Sequence, residues 1–126
     1  MDMSLDELSI EIKVEHDGDA LVFRLRGSLD LATSPSVRAA LYEAIDEGKY
    51  EIIVDLTELQ FIDSTGLGAL IGGHKRAVEH GGHLRLAARE GAILRLLNIT
   101  GLIRVFSVYP STEAALKDQG RAVSLP

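Results

Sequence analysis

Residues 51–68, EIIVDLTELQFIDSTGLG, carry the reading that decides the fold. Ile52, Ile53 and Val54 are contiguous and β-branched, the pattern of a strand covered on both faces, as a central parallel strand with helical crossovers is. Leu59, Phe61 and Ile62 make a second short apolar step that runs directly into Asp63, Ser64, Thr65 and Gly66. From about Thr65 to His80 the chain reads as a helix with Leu67, Leu70, Ile71, Ala77 and Val78 facing inward. Gly68, Gly72 and Gly73 each weaken that helix by about 1 kcal/mol relative to Ala. Two reasons for them stay open at this stage: close packing against the sheet, or room for a partner surface.

Upstream, LSIEIKV at 8–14 places Leu8, Ile10, Ile12 and Val14 at a period of two, a strand with one buried face. LVFRL at 21–25 repeats the pattern, and Asp17-Gly18 between the two predicts an antiparallel hairpin. Gly27 is expected to end the second strand. Pro35 then suits a first helical turn, with Thr33 or Ser34 as its cap, and Val37, Ala40, Leu41, Ala44 and Ile45 mark one apolar face down to a stop at Gly48. A helix between two strands of one sheet predicts a right-handed crossover.

Downstream, Gly81 and Gly82 stop the second helix. Leu84, Leu86 and Ala87 suggest a strand, and Ile93, Leu94, Leu96 and Leu97 a short helix ending near Gly101. Val105, Phe106 and Val108 suggest a last edge strand, and Ser111 starts a final helix with Ala115 and Leu116. The fold class is therefore α/β: a mixed, mostly parallel sheet with an N-terminal antiparallel hairpin and about four helices, in the order β-β-α-β-α-β-α-β-α. The 126 residues suit one domain spanning 1–126, with an ordered core from about 5 to 119 and a frayed tail at 120–126.

Composition narrows the function. Hydrophobic residues make up 46% and charged residues 25%, a globular balance. No apolar run approaches the roughly 20 residues of a membrane span, and the acidic start MDMSLDELS does not resemble a secretory signal, so a cytoplasmic protein is expected. Zero cysteine removes disulfides and thiolate chemistry. A net charge of −6 opposes direct binding to nucleic acid or anionic membranes, although Arg85, Arg89, Arg95 and Arg104 leave room for a local basic patch.

The familiar catalytic and nucleotide patterns do not occur. The chain has no GxxxxGK followed by Ser or Thr, no GxGxxG at a first crossover and no GxSxG elbow. His80 and His83 flank the Gly81-Gly82 break and share no helical face, and His74 lies beside Leu70 and Ile71, so neither metal binding nor catalysis is expected of them. What remains is the helix start. Asp63, Ser64 or Thr65 can cap its unpaired amides. A serine there can equally carry a phosphate, whose charge of about −1.5 to −2 is favourable toward the helix dipole. Asp63 and, if its loop folds back, Asp30 would repel such a group, and could instead orient the unmodified hydroxyl or a metal-nucleotide brought by a kinase.

The string FIDSTGLG at 61–68, preceded by IIVDL at 52–56, resembles the signature of STAS domains, specifically of bacterial anti-sigma factor antagonists. LRGSLDLATSP at 25–35, GGHLRL at 81–86 and LLNITGLIRVFSVYPSTEAAL at 96–116 extend the resemblance over nearly the whole chain. It implies that Ser64 is phosphorylated by a partner serine kinase of the histidine-kinase-like ATPase fold, which doubles as the anti-sigma factor. It also places Ser28 and Asp30 in the loop after the second strand, and Asp63, Ser64, Thr65, Gly66 and Leu67 at the helix start, on the partner-binding face.

The implied mechanism is partner switching in transcription regulation, of the kind found in sporulation and stress responses. Unmodified protein binds the anti-sigma factor and frees the sigma factor; phosphorylation of Ser64 weakens binding; a PP2C-type phosphatase reverses it. The chain is then a kinase substrate and not an enzyme, with no cofactor of its own, the kinase supplying ATP and Mg²⁺. A monomer is expected because one core accounts for the apolar residues. One departure stands out: the family loop often reads GELD or GEID, whereas Gly27-Ser28-Leu29-Asp30 lacks the glutamate. A STAS interaction module in a stress-sensing or lipid-transport complex is the alternative.

Overall fold

One strand organises the molecule. The structure, a computed structural model, describes residues 9–118 and 120–122. Its strand β3 (Glu51–Ile62) pairs in parallel with β2 (Ala20–Leu29) on one side and β4 (His83–Ala87) on the other. Strand β1 (Ile10–Asp17) adds antiparallel to β2, and β5 (Ser107–Tyr109) adds parallel to β4, giving the sheet order β1-β2-β3-β4-β5. Helices α1 (Ser34–Asp46), α2 (Ser64–Glu79), α3 (Ala92–Ile99) and α4 (Thr112–Lys117) connect or follow the parallel strands, and the expected element order holds.

The contiguous apolar run of β3 faces two cores. Ile52, Val54 and Leu56 join Leu21, Phe23 and Leu25 of β2 under α1 and α2. Ile53 points the other way, into a smaller cluster with Val22, Tyr109 and Ala115 of α4. Three helices therefore cover one face, and the short C-terminal helix part of the other. Burying aliphatic side chains such as Ile45, Val54 and Leu70, each fully enclosed, contributes about 1.5–3 kcal/mol apiece.

Several expectations are corrected. The two apolar steps 51–56 and 59–62 form one strand, in which β3 gains one residue on β2 between Asp55 and Glu58 and another between Leu59 and Phe61. These bulges replace the period of two by a period of three, so Leu56, Leu59 and Ile62 stay in the core. Phe61, expected to continue the apolar step, is turned out and is 52% exposed.

Gly27 does not end β2, which continues to Leu29. Its φ of +110° and the 2.4 Å that would separate a Cβ from the Ser9 carbonyl oxygen explain the glycine without any chain break. Thr33 occupies the cap position of α1 but makes no side-chain cap bond. Val14 and Val78, expected inside, are exposed, and Val105 and Phe106 precede β5 instead of forming it.

Leu8, residues 5–7 of the expected core, Gln119 and the tail 123–126 lie outside the described residues. Within the tail that is described, the Ala122 amide donates to the Val108 carbonyl of β5 at 2.7 Å. The hairpin turn at Gly18 (φ +60°) and the Ser111 cap of α4 are as expected.

Candidate functional site

The site is assembled where β2 and β3 end side by side. The Asp63 amide donates to the Leu29 carbonyl at 3.2 Å, extending the ladder by one bond beyond Ile62. Asp63 keeps an extended backbone (φ −112°, ψ −175°), and its Oδ1 accepts from the Gly66 amide at 2.9 Å, capping α2. The Leu67 amide donates to the Asp63 carbonyl at 2.9 Å and closes the first turn. The cap is thus Asp63. Ser64 is the first helical residue and is exposed; Thr65 is half-buried.

The loop after β2 does fold back onto this turn. The Leu31 amide donates to Asp63 Oδ2 at 3.2 Å, so one carboxylate ties the loop and the helix start together. Asp30 shapes the loop from within: its Oδ1 accepts from the Ala32 amide at 3.0 Å and the Thr33 amide at 3.1 Å. The Thr33 hydroxyl accepts from the Asp30 amide at 2.9 Å and donates to the Ser28 carbonyl at 2.8 Å. Asp63 bonds to backbone amides on both sides of the site, and Asp30 to two amides and, at 3.2 Å, the Thr33 hydroxyl, which fixes the frame around Ser64.

Gly66 and Leu67 serve the frame from inside. A Cβ on Gly66 would lie 2.6 Å from the Leu29 carbonyl oxygen and 2.7 Å from Leu29 Cγ, so α2 crosses the end of β2 only because position 66 is glycine. Leu67 is 7% exposed and belongs to the main core. Its side chain sets the position of the helix and does not form part of the outer surface. Ser28, half-buried, pairs across the ladder with Phe61.

Two surface residues here escaped the sequence reading. Leu31 is 73% exposed, held through its amide by Asp63, and Phe61 is 52% exposed two residues before it. Both are exposed apolar side chains on segments that flank the Asp63 turn. The signal for Phe61 was the three-residue spacing of Leu56, Leu59 and Ile62; nothing in the sequence marks Leu31, whose place depends on a bond to a residue 32 positions away.

A second polar cluster lies on the α4 side of the sheet. Asp55 Oδ2 accepts from Thr112 Oγ1 at 2.6 Å and Arg24 Nη1 at 2.8 Å, and its Oδ1 from the Thr57 hydroxyl at 2.6 Å and amide at 2.8 Å. Burial favours the protonated acid, but the bonds from Thr112 and Thr57 and the Arg24 charge outweigh it and hold the Asp55 carboxyl below its usual range. Arg24 is raised by its bond to Glu15, against the effect of burial. With every bond made internally, this cluster pins α4 to the sheet.

The histidines are dispersed. His80 stacks on Tyr50, His83 Nδ1 meets Glu51 at 3.1 Å, and His74 packs edgewise on Phe106 with its pKa pushed down by burial. Arg85 and Arg89 donate to the carbonyls of Ala115 and Thr57. Among the described residues no group of His, Asp and Glu is arranged to hold a metal, and no helix is long and apolar enough to cross a membrane.

The fold and the site together define a small α/β domain that offers a framed serine at the end of its central strands. Residues 11–115 match the family model described as STAS domain, and the chain belongs to that family. It is 35% identical over 112 residues to the anti-sigma F factor antagonist of Paenibacillus polymyxa, covering 88% of this chain and 96% of that protein. Among solved structures, an anti-sigma factor antagonist from Mycobacterium paratuberculosis superposes with a TM-score of 0.80 at 27% identity, covering 86% and 92% of the two chains. The anti-sigma factor antagonist SpoIIAA in its unphosphorylated form gives 0.65 at 25% identity, over 86% and 96%.

Proposed function

We propose that this protein is an anti-sigma factor antagonist switched by phosphorylation of Ser64. The observation that carries the reading is the exposed Ser64 at the first position of α2, framed by Asp63 and the Leu31 loop. Similarity to antagonists over most of both chains supports the partner class. A described unphosphorylated form of SpoIIAA supports a phosphate-dependent cycle.

In this reading the unmodified monomer docks on an anti-sigma factor that is also a serine kinase of the histidine-kinase-like ATPase fold, and the sigma factor is released. The kinase brings ATP and Mg²⁺. Ser64 Oγ attacks the γ-phosphorus: the new O–P bond forms as the bond to the bridging oxygen breaks, ADP leaves, and the hydroxyl proton passes to a base of the kinase. The phosphate gains from the helix N-terminus and is repelled by Asp63 and Asp30 nearby. Its charge on a surface that had met the partner as a neutral hydroxyl weakens the complex, and a PP2C-type phosphatase removes it. The net charge of −6 fits a protein that acts through a protein partner and does not itself bind nucleic acid.

The test is to incubate the protein with the anti-sigma factor kinase of its own genome and ATP-Mg²⁺ and to map phosphate by mass spectrometry. Modification of Ser64, and none in Ser64→Ala, is expected. Clean modification at Thr65 or elsewhere with Ser64 intact overturns the assignment.

A further inference from the structure

The helix glycines of α2 divide sharply. A Cβ at Gly66 meets Leu29, one at Gly72 lies 2.6 Å from Tyr42 Oη, and one at Gly73 lies 3.0 Å from Leu41 Cδ1 and 3.1 Å from Leu84 Cδ1. These three have neighbours within the fold that fill the space of a side chain. Gly68 has none: a Cβ there meets nothing within 4 Å, and its φ is not in the left-handed region. Position 68 is helix interior, half-exposed, and free to accept alanine. Glycine at such a position weakens the helix, and no contact among the described residues compensates.

Geometry supplies an external reason. Gly68 follows Ser64 by four residues, so the two lie on the same helix face about 6 Å apart along the axis. Helical Cα–Cβ bonds tilt toward the N-terminus, and a side chain covers the surface over the preceding turn. Any side chain at 68 therefore leans back toward Ser64. We infer that Gly68 is a specificity-determining position that keeps the approach to the Ser64 hydroxyl clear, so that the kinase can seat its phosphoryl donor in line with Oγ.

This inference rests on the antagonist reading and adds a residue to it. The sequence left open whether Gly68, Gly72 and Gly73 serve packing or a partner; the neighbours of Gly72 and Gly73 account for those two by packing, and Gly68 is left for access. Phosphoryl transfer is demanding of alignment, because displacement of the reacting atoms by about 1 Å can reduce the rate by about 100-fold. A methyl group at 68 is expected to have a partial effect and a branched four-carbon side chain a large one.

The experiment compares wild type, Gly68→Ala and Gly68→Leu with the purified anti-sigma factor kinase of the same genome, measuring initial rates of Ser64 phosphorylation alongside thermal melting. Both variants are expected to melt at or above the wild-type temperature, since Ala and Leu are stronger helix formers. Phosphorylation is expected to slow in the order wild type, Ala, Leu, with the Leu variant down by about tenfold or more. A Leu variant phosphorylated within about twofold of wild type overturns the inference, as does a fall in melting temperature that parallels the loss of rate, which would make Gly68 a folding residue. Wild-type protein that is not phosphorylated at Ser64 overturns the antagonist reading and this inference with it; the wild-type arm separates the two failures.

Discussion

Asp55 and Asp63 belong to the same stretch of chain, one inside β3 and one just past its end, and the fold uses them in opposite ways. Asp55 is 5% exposed and accepts from Thr57, Thr112 and Arg24, so its charge is consumed in holding α4 against the sheet. Asp63 is half-buried and, among the described residues, accepts from two backbone amides, Gly66 and Leu31. The first carboxylate closes a structure; the second builds a frame and leaves the next residue, Ser64, in solvent. A buried charge with its bonds made internally is costly to strip of a partner and marks a structural role, whereas a carboxylate that ties a loop to a helix start beside an exposed hydroxyl marks a site.

That contrast can be broken by substitution, and the largest effect is expected at Asp55. Asp55→Ala strands Thr112 and Arg24 and should lower stability by about 2–3 kcal/mol, discounted because Arg24 is partly solvated. A urea titration reads the loss, and Ser64 of the folded fraction should still be phosphorylated at the wild-type rate. Gly66→Ala drives a methyl into the Leu29 carbonyl and should cost about 2 kcal/mol while also displacing the helix start, so stability and phosphorylation should fall together.

Asp63→Ala removes a cap and should cost only about 1 kcal/mol. Its effect on phosphorylation should be larger than on stability, because the Leu31 amide loses its acceptor and the loop beside Ser64 is released. The smallest effect is in acid. The Asp55 pKa is lowered from 3.8, so the carboxylate contributes stability above that pH, and the contribution is lost as pH falls below it through the folded value. Acid titration of Asp55→Asn should lack this component.

Much of the fold was legible from local pattern. The β-branched run at 52–54, the Asp17-Gly18 turn, Pro35 and the glycine stops each act through nearest neighbours, and they yielded the element order and the parallel centre. The helix start at Ser64 was legible for the same reason. The bulges of β3 were not, because an extra residue changes the period of two only relative to a partner strand, and Phe61 was misplaced as a result. The exposed Leu31 and the Asp55 cluster depend on contacts 32 and 57 residues apart, which periodicity does not encode. Leu67 was expected on the partner face from resemblance; its side chain lies in the core, while Ser64 is exposed and Thr65 and Gly68 are half-exposed beside it.

In the proposed function Ser64 carries the switch. The decisive measurement is isothermal titration of the anti-sigma factor kinase with unmodified protein and with protein phosphorylated at Ser64. The phosphate is expected to weaken binding by about tenfold or more, equivalent to about 1.4 kcal/mol or more. Equal affinity of the two forms would contradict it.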